Sequence, residues 1–170
     1  MNAIDINFLR HIPIFTEIPD EKMEKVCQAL VRRYVEKGTV IVKEGDLGVE
    51  MFILLEGEVV ISRSLLLKIR GHGMDQRDKS LTRLTGKDYA FFGEMALAEE
   101  RLERSASVSA QTACTLAVIT RDAFFKLVES DKEIGYYVWK GIARSLSGRL
   151  EKTTQDVLKL ATALSLALER

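Results

Sequence analysis

The sequence predicts an α+β fold that is mainly β, in which an antiparallel barrel or sandwich lies between N-terminal helices and a long C-terminal helix. Three features of the chain indicate this arrangement. Short runs of β-branched and aromatic residues, separated by glycines, occupy its middle. Apolar residues at helical spacing come before these runs. After them, a helical pattern without proline extends from Asp131 to the end of the sequence.

Length and composition favour one soluble domain with a sizeable core. The chain has 170 residues, of which 46% are hydrophobic and 29% are charged. Lys and Arg number 25, as do Asp and Glu, so the formal net charge is zero and binding to DNA or to an anionic membrane is not expected. No apolar run reaches the ~18 residues of a membrane span. The first five residues also lack a signal-peptide pattern, so we expect a cytoplasmic protein.

Two short helices are predicted in the first 30 residues. Residues 5–10 favour one helix. Pro13 and Pro19 lie in the connection to the next helix, because proline disfavours a continuous helix there. Asp20 is predicted to be the N-cap of the second helix, because an aspartate side chain can accept hydrogen bonds from the first free backbone N–H groups. The apolar stripe of this helix consists of Met23, Val26, Cys27 and Leu30.

Strand-like segments follow at 40–42, 51–55 and 59–61, each rich in β-branched or aromatic residues. Residues 56–58, which read Glu-Gly-Glu, predict a tight hairpin turn in which Gly57 adopts a positive φ. Short strands joined by glycine turns in this way are typical of antiparallel barrels and sandwiches.

Two later segments complete the predicted β region. Residues 71–78 are polar and glycine-rich and predict a hairpin tip, which can be a solvated loop or a contact for a partner. Strands are expected at 80–84 and across 106–119, where apolar residues occupy both alternating faces. A strand with two apolar faces is expected to be buried on both sides.

The remainder of the chain is predicted to be helical, with a short helix around 124–128 and a long one from Asp131. The long helix carries a heptad seam of Leu146, Leu150, Thr153, Val157, Leu160, Leu164 and Ala167. The seam favours a parallel coiled-coil homodimer through residues 146–168, although a helix packed on its own barrel also needs an apolar stripe. We therefore expect a β-roll domain with its helices at 1–135 and a dimerising C-terminal helix at 136–170.

Residues 92–106 contain the groups needed to bind a cyclic sugar-phosphate. Glu94 can accept hydrogen bonds from a ribose hydroxyl, and Arg104 can present its planar fork to a phosphate. Gly93 allows a close approach of the backbone because it has no Cβ, and Ser105 adds a hydroxyl beside the arginine. On spacing alone, a glutamate and an arginine ten residues apart are more often solvated or paired with each other.

The motifs Phe92-Gly93-Glu94 and Arg104-Ser105-Ala106 resemble the phosphate-binding cassette of the cyclic nucleotide-binding domain family, in its catabolite-activator branch. The resemblance implies an eight-stranded antiparallel β jelly roll flanked by N-terminal helices and a long C-terminal helix. It also implies cyclic AMP or cyclic GMP as ligand and a last helix that moves when the ligand binds. The residues expected to bind the ligand are Phe92, Gly93, Glu94, Met95, Ala96, Arg104, Ser105, Ala106 and Arg149.

The sequence departs from the family pattern in three places. The cassette lacks the Gly and Pro that many members have before the arginine, so its helix is expected to be longer. The turn at 86–93 is also longer than usual, which is expected to push Tyr89 or Phe91 into or over the pocket. Arg149 and Leu150 align with the base-contacting positions, where Arg149 can either stack on a base or stay solvated.

Two functions from different classes follow from these patterns. The first is a regulatory module that passes ligand occupancy through its C-terminal helix to an effector protein or to its own dimer. The second is an interaction scaffold that keeps the fold without the ligand. In the scaffold, Glu94 and Arg104 would pair with each other, and Phe91 or Leu102 would fill the pocket. No cofactor is expected, and the choice between adenine and guanine is open.

Little in the sequence supports an enzyme or a DNA-reading protein. His11, His72, Cys27 and Cys114 are too few and too dispersed for a metal site. No nucleophile triad and no phosphate-loop motif are present in the sequence. The chain reaches Arg170 without a helix-turn-helix after the long helix, so we do not expect it to bind DNA.

Overall fold

The computed structural model describes residues 4–68, 74–98 and 103–168. These residues form N-terminal helices, a β region with one short internal helix, and C-terminal helices, as predicted. The helices are α1 (Ile6–Leu9), α2 (Met23–Ala29), α3 (Met95–Ala98), α4 (Arg121–Ser130) and α5 (Lys132–Leu168). The strands are β1 (Val31–Val35), β2 (Val40–Val42), β3 (Glu50–Glu56), β4 (Glu58–Lys68), β5 (Met74–Thr85), β6 (Phe91–Phe92), β7 (Ser107–Ala110) and β8 (Cys114–Thr120).

The eight described strands form two antiparallel sheets of four. The first sheet has the order β1-β8-β3-β6, and the second has the order β2-β7-β4-β5. In the first sheet, β3 pairs with β8 from Glu50 opposite Thr120 to Leu54 opposite Leu116. In the second sheet, β4 pairs with β5 on one side and with β7 on the other. The chain passes repeatedly between the two sheets, and this confirms the predicted mainly β fold with its eight-stranded jelly roll.

The segment 106–119 contains two strands, so the prediction of a single strand was wrong. β7 lies in the second sheet and β8 in the first, and residues 111–113 turn the chain between them. The backbone N–H groups of Ala110 and Gln111 donate to the carbonyls of Thr39 (2.9 Å) and Glu58 (2.8 Å), which fixes the turn. The turn was hard to predict because residues 111–113 include none of Gly, Pro, Asn and Asp, the residues most typical of turns.

Two smaller expectations also need correction. β5 begins at Met74, so residues 74–78 are strand where a loop was expected, while residues 69–73 lie outside the described residues. Asp20 begins a 3₁₀ turn, Asp20–Lys22, and its side chain forms no capping hydrogen bond. Instead it pairs with Arg10 at 3.0 Å, which takes the carboxylate away from the start of α2.

The predicted hairpin turn between β3 and β4 is confirmed. Gly57 has a φ of 94°, a conformation that L side chains rarely adopt. A Cβ at this position would also lie 2.5 Å from the carbonyl oxygen of Ala113. Glycine is therefore required here both by the backbone and by the neighbouring chain.

The core consists of two apolar clusters separated by the first sheet. Ala117 and Ile119 of β8 face the helices and join the larger cluster. Leu116 and Val118 of the same strand face the second sheet and join the smaller cluster. All four side chains are buried, so the expectation that this stretch is buried on both faces is confirmed. The strand joins the helical layer to the interior of the roll.

α5 is packed on the body at its beginning and free of it at its end. Ile134, Val138 and Ile142 are buried, and Gly141 lies so close to Ile14 that a Cβ would approach its Cα to 2.6 Å. All residues from 147 to 168 are exposed. The predicted boundary at residue 135 thus falls within one continuous helix. Neither α5 nor any other described helix is long and apolar enough to cross a membrane.

Candidate functional site

All nine residues that the sequence assigned to ligand binding line one pocket. The pocket lies between β6, α3 and the start of β7, and α5 crosses its edge. Its volume is about 150 Å³. The residues around it are Val42, Ile61, Phe92, Gly93, Glu94, Met95, Ala96, Glu103, Arg104, Ser105, Ala106, Val108 and Arg149. Residues distant in the sequence therefore meet at one concave surface.

The backbone at Gly93 shapes the floor of the pocket. Gly93 follows the last residue of β6 and has a φ of 78°. A Cβ there would lie 2.7 Å from Nη1 of Arg104 and 3.0 Å from the carbonyl oxygen of Glu50. Only glycine allows the chain to turn from β6 into α3 while the arginine lies against it. The groups that lie close to Gly93 in the structure are the Arg104 side chain and the Glu50 carbonyl, and the predicted approach of a ligand to this glycine stays a prediction.

Arg104 lies half-buried at one end of the pocket and is held by backbone carbonyls. Its Nη2 donates to the carbonyl of Glu50 at 2.8 Å, and its Nη1 donates to the carbonyl of Gly93 at 3.3 Å. The guanidinium also lies 5.8 Å from the centre of the Phe52 ring, within the range of a cation–π contact. These contacts hold a positive charge at a fixed position.

The electrostatics of Arg104 suit an anion-binding group. Burial lowers the pKa of the Arg104 guanidinium, and the negative charges of Glu50 and Glu94 oppose this effect. An arginine nevertheless stays protonated at neutral pH, because its ordinary pKa is far above 7. Its backbone is also fixed, since its N–H donates to the carbonyl of Asp46 at 2.8 Å. Among the described residues, no carboxylate lies within salt-bridge distance of this half-buried cation, so it can accept a ligand anion.

Glu94 is the buried charge of the site, with 3% of its surface exposed. Its Oε1 accepts a hydrogen bond from Nη1 of Arg149 at 2.7 Å. The pairing of Glu94 with Arg104 that the scaffold hypothesis expected is not observed between these two described residues. A carboxylate this deep needs a cationic or hydrogen-bonding partner, and the C-terminal helix provides it.

Arg149 connects α5 to the pocket through three contacts. Besides its ion pair with Glu94, its Nη2 donates to the carbonyl of Phe91 at 3.2 Å, and its guanidinium lies 5.0 Å from the centre of the Phe91 ring. Half of the side-chain surface remains exposed. Sequence reasoning selected Arg149 for this pocket but did not foresee that it would pair with Glu94.

The extended turn before the cassette does not fill the pocket. Tyr89 has a φ of 50° and faces away. Its ring stacks on His11 with ring centres 4.9 Å apart, and the tilted ring of Phe8 lies 5.2 Å away. Phe91 is buried in the helix-facing core, below the Arg149 guanidinium. The expectation that either ring would enter the pocket was wrong. Leu102, the other proposed filler, lies outside the described residues, as do residues 99–101, over which the cassette helix was expected to be longer.

The apolar wall of the pocket was missed by sequence reasoning. Val42 of β2, Ile61 of β4 and Val108 of β7 supply it, each from a different strand of the second sheet. Their β-branched character signalled strands, but only the pairing of the sheet shows which side chains face the cavity. The pocket thus combines a cation, a carboxylate and an apolar surface. Among the described residues, no three His, Cys, Asp or Glu side chains are grouped closely enough to hold a metal ion.

In sequence, the chain is similar to cGMP-dependent protein kinases and to regulatory subunits of cAMP-dependent protein kinase. Residues 32–131 match the family model described as the cyclic nucleotide-binding domain. Human cGMP-dependent protein kinase 2 is 30% identical over 165 residues, which are 95% of this chain and 20% of that protein. The chain therefore spans about a fifth of the length of this relative.

Solved structures agree on the fold. A cyclic nucleotide-binding domain from Methylobacillus flagellatus KT is 22% identical with a TM-score of 0.72, over 90% of this chain and 80% of that chain. The regulatory domain of Toxoplasma gondii PKA, solved with cAMP, is 27% identical with a TM-score of 0.61. That likeness covers 81% of this chain and 48% of the other.

Proposed function

The chain belongs to the cyclic nucleotide-binding domain family, and we propose that it binds a cyclic mononucleotide, cyclic AMP or cyclic GMP, as a regulatory ligand. The observation that carries this proposal is the convergence of the Arg104 guanidinium and the buried Glu94 carboxylate on one pocket with an apolar wall. A cyclic mononucleotide has the matching parts, namely one phosphate charge, one free ribose hydroxyl and a flat base. One relative is named for cGMP and another was solved with cAMP, which supports both ligands.

Arg104 binds the cyclic phosphate in this proposal. A guanidinium has five N–H donors, and the carbonyls of Gly93 and Glu50 account for only part of them. Hydrogen bonds from the remaining donors to a phosphate oxygen are charge-assisted and therefore stronger than neutral ones. Ser105 is exposed next to the arginine and offers a further hydroxyl. The phosphate thus meets a cation that is already oriented.

Glu94 accepts the ribose hydroxyl. Arg149 bonds to Oε1 of this carboxylate, and Oε2 is available for a second donor. The ligand and α5 then share one buried carboxylate, so the ligand stabilises the helix position in which Arg149 reaches the pocket. Arg149 itself borders the cavity and contributes to binding by neutralising Glu94.

The size of the pocket supports a link between occupancy and the position of α5. Its volume of about 150 Å³ is below the ~300–1,000 Å³ typical of small-molecule sites. The lining must therefore move when a nucleotide enters, and the exposed side chains of Met95 and Arg149 lie at its edge. A ligand that binds one position of α5 better than another shifts the balance between them. Such coupling is typically worth ~1–3 kcal/mol.

We further propose that α5 passes this shift to a second copy of the chain or to an effector protein in the cytoplasm. The exposed seam residues Leu150, Val157, Leu160 and Leu164 support a homodimer through residues 146–168. In this proposal residues 1–135 sense the ligand and residues 136–170 carry the output. Neither catalysis nor DNA binding is part of the role.

Calorimetry with cyclic AMP and with cyclic GMP on the purified chain tests the ligand. We expect binding in the micromolar range to at least one of them and loss of most of the affinity in Arg104→Ala. Arg83→Ala is the matched control, because Arg83 pairs with Glu58 on the second sheet and does not line the pocket. Absence of heat with both nucleotides, or unchanged affinity in Arg104→Ala, would overturn the proposal.

The alternative is a scaffold that keeps the fold without a ligand. This alternative is favoured because both charged side chains already have partners within the protein. Arg104 donates to two carbonyls, and Glu94 binds Arg149. Thermal unfolding with and without nucleotide separates the two functions. A ligand that binds only the native state raises the melting temperature, whereas the scaffold melts at the same temperature in both solutions.

A further inference from the structure

An ion cluster joins the N-terminal helices to the junction between α4 and α5. Lys22 donates to both carboxylate oxygens of Asp131, at 2.8 and 2.9 Å, and pairs with Glu133 at 2.8 Å. Lys25 approaches Asp131 to 3.0 Å. We call these four residues the junction cluster. Its centre is shielded, because 10% of the Asp131 side chain and 21% of the Lys22 side chain are exposed.

Both central groups of the junction cluster are charged at neutral pH. Hydrogen bonds from Lys22 and Lys25 lower the pKa of Asp131 to about 2. The reciprocal bonds to Asp131 and Glu133 raise the pKa of Lys22. Asp131 also occupies the position between the two helices, since α4 ends at Ser130 and α5 begins at Lys132. The cluster therefore fixes the residue that joins α4 to α5.

The same N-terminal region contacts α5 again, further along the helix. The backbone of Ile14 lies against Gly141, with room for no side chain between them. Glu17 accepts hydrogen bonds from Lys140 at 2.7 Å and from Arg144 at 2.6 Å. The first turns of α5 are thus held at a junction and along one side, whereas the helix beyond them has no such support from this region in the described structure.

The distance from the junction to the pocket makes small changes of angle important. Arg149 lies 18 residues after Asp131, which at ~1.5 Å per residue places it ~27 Å along the helix. A rigid tilt of ~10° about the junction, which would also displace the contacts of Gly141 and Glu17, would move the arginine by ~5 Å over that helical length. The Arg149–Glu94 bond is 2.7 Å long and does not survive such a movement.

We propose that Lys22 and Asp131 are positioning residues for the ligand pocket, because their ion pair sets the direction of α5 and so holds Arg149 on Glu94. The pair touches neither the pocket nor the ligand. Its effect on nucleotide affinity rests on the proposed function, but its effect on the Arg149–Glu94 bond does not. The two consequences can therefore be measured separately.

A stability cycle on the full chain without nucleotide tests the positioning role. Urea midpoints are measured for Lys22→Met, Arg149→Met and the double variant. Mutations at independent sites this far apart shift the midpoint additively. We expect the midpoint shift caused by Arg149→Met to fall to less than half of its value once Lys22 has been replaced, because the bond it removes is already weakened.

Two controls separate positioning from general damage. Arg10→Met breaks the Arg10–Asp20 pair of the same N-terminal region, which does not involve α5, and should leave the Arg149→Met shift unchanged. Lys22→Arg keeps the charge and should restore the full shift. If Lys22→Met does not fold, Asp131→Asn replaces it in the same cycle. An additive cycle with both junction variants would overturn the proposal.

The nucleotide arm uses the same variants with cyclic AMP and cyclic GMP. We expect a several-fold loss of affinity in Lys22→Met, a parental value in Arg10→Met and recovery in Lys22→Arg. If the parent binds neither nucleotide, the proposed function fails, and the stability cycle still decides the positioning role. If the parent binds and Lys22→Met keeps its affinity, the inference fails while the proposed function stands.

Discussion

The two halves of α5 differ in almost every physical respect although they form one helix. Residues 132–146 are packed on the N-terminal region and on α4, with Ile134 and Val138 buried. Residues 147–168 are exposed throughout, and their large apolar side chains face solvent in this chain. Arg149 lies just beyond the boundary and connects the free half to the pocket.

Under the proposed function, this difference provides a route by which ligand binding reaches the free half of α5. A helix packed along its whole length would be held in place by its contacts, and a helix without contacts would not respond to the pocket. Here one half is anchored, a single arginine reaches the site, and the remaining half is free to meet another surface. The predictions below change one half at a time, beginning with the largest expected effect.

The anchored half should be far more sensitive to loss of side-chain volume than the free half. Ile134 is fully buried, so Ile134→Ala should lower the free energy of unfolding by about 2–5 kcal/mol. Leu164 is 61% exposed, so Leu164→Ala should change it by less than about 0.5 kcal/mol at concentrations where the chain is monomeric. Urea denaturation of both variants provides the measurement. Equal losses would show that the free half is packed in solution.

The two halves should also differ in their response to acid. Asp131 has a native pKa of about 2 against an ordinary value of 3.8. Its contribution to stability is therefore fully present above about pH 4 and lost as the pH falls through about 2. The difference in urea midpoint between the parent and Asp131→Asn should shrink over this range.

Asp156 provides the control for the acid experiment. It pairs with Lys159 at 3.5 Å in the free half, and more than half of each side chain is exposed. Asp156→Asn should change the midpoint little at any pH, because exposed pairs contribute little. A constant difference for Asp131→Asn from pH 5 to pH 2, as for Asp156→Asn, would contradict a charged native Asp131.

Substitutions in the heptad seam of the free half should change the stability of the monomer least and dimer formation most. Replacing Leu160 and Leu164 with lysine places charges where the coiled-coil proposal requires apolar contact. Sedimentation should show a dimer for the parent and a monomer for the double variant. At concentrations where the parent is also monomeric, the two chains should have similar free energies of unfolding. Lys159→Gln, on the polar face, should dimerise like the parent. If the parent stays monomeric at all concentrations, the seam does not form a homodimer and the coiled-coil proposal is wrong.

The sequence was most informative where local chemistry determines the structure. The strand segments at 40–42, 51–55 and 59–61, the positive φ of Gly57 and the two buried faces of β8 follow from residue type and alternation. The prediction that the two cassette motifs share one pocket came from the family resemblance, because their spacing alone predicts little. The turn at 111–113 was not predicted because its residues, Gln, Thr and Ala, are not typical turn residues.

Long-range charge pairing was beyond the reach of sequence reasoning. Glu94 pairs with Arg149 and Lys22 pairs with Asp131, across separations of 55 and 109 residues. The chain contains 25 acidic and 25 basic side chains, and nothing local distinguishes the correct partners among them. Only the packing of α5 against the roll and the N-terminal helices selects these pairs.

Gly48 shows how the pocket could be disabled from outside. It does not line the cavity, yet a Cβ there would overlap the Arg104 guanidinium. Its φ lies outside the left-handed region, so the backbone would accept alanine and the flexible arginine would be the part to give way. A single methyl group would thus leave the chain folded and the cassette sequence intact while displacing the guanidinium that the proposed function requires.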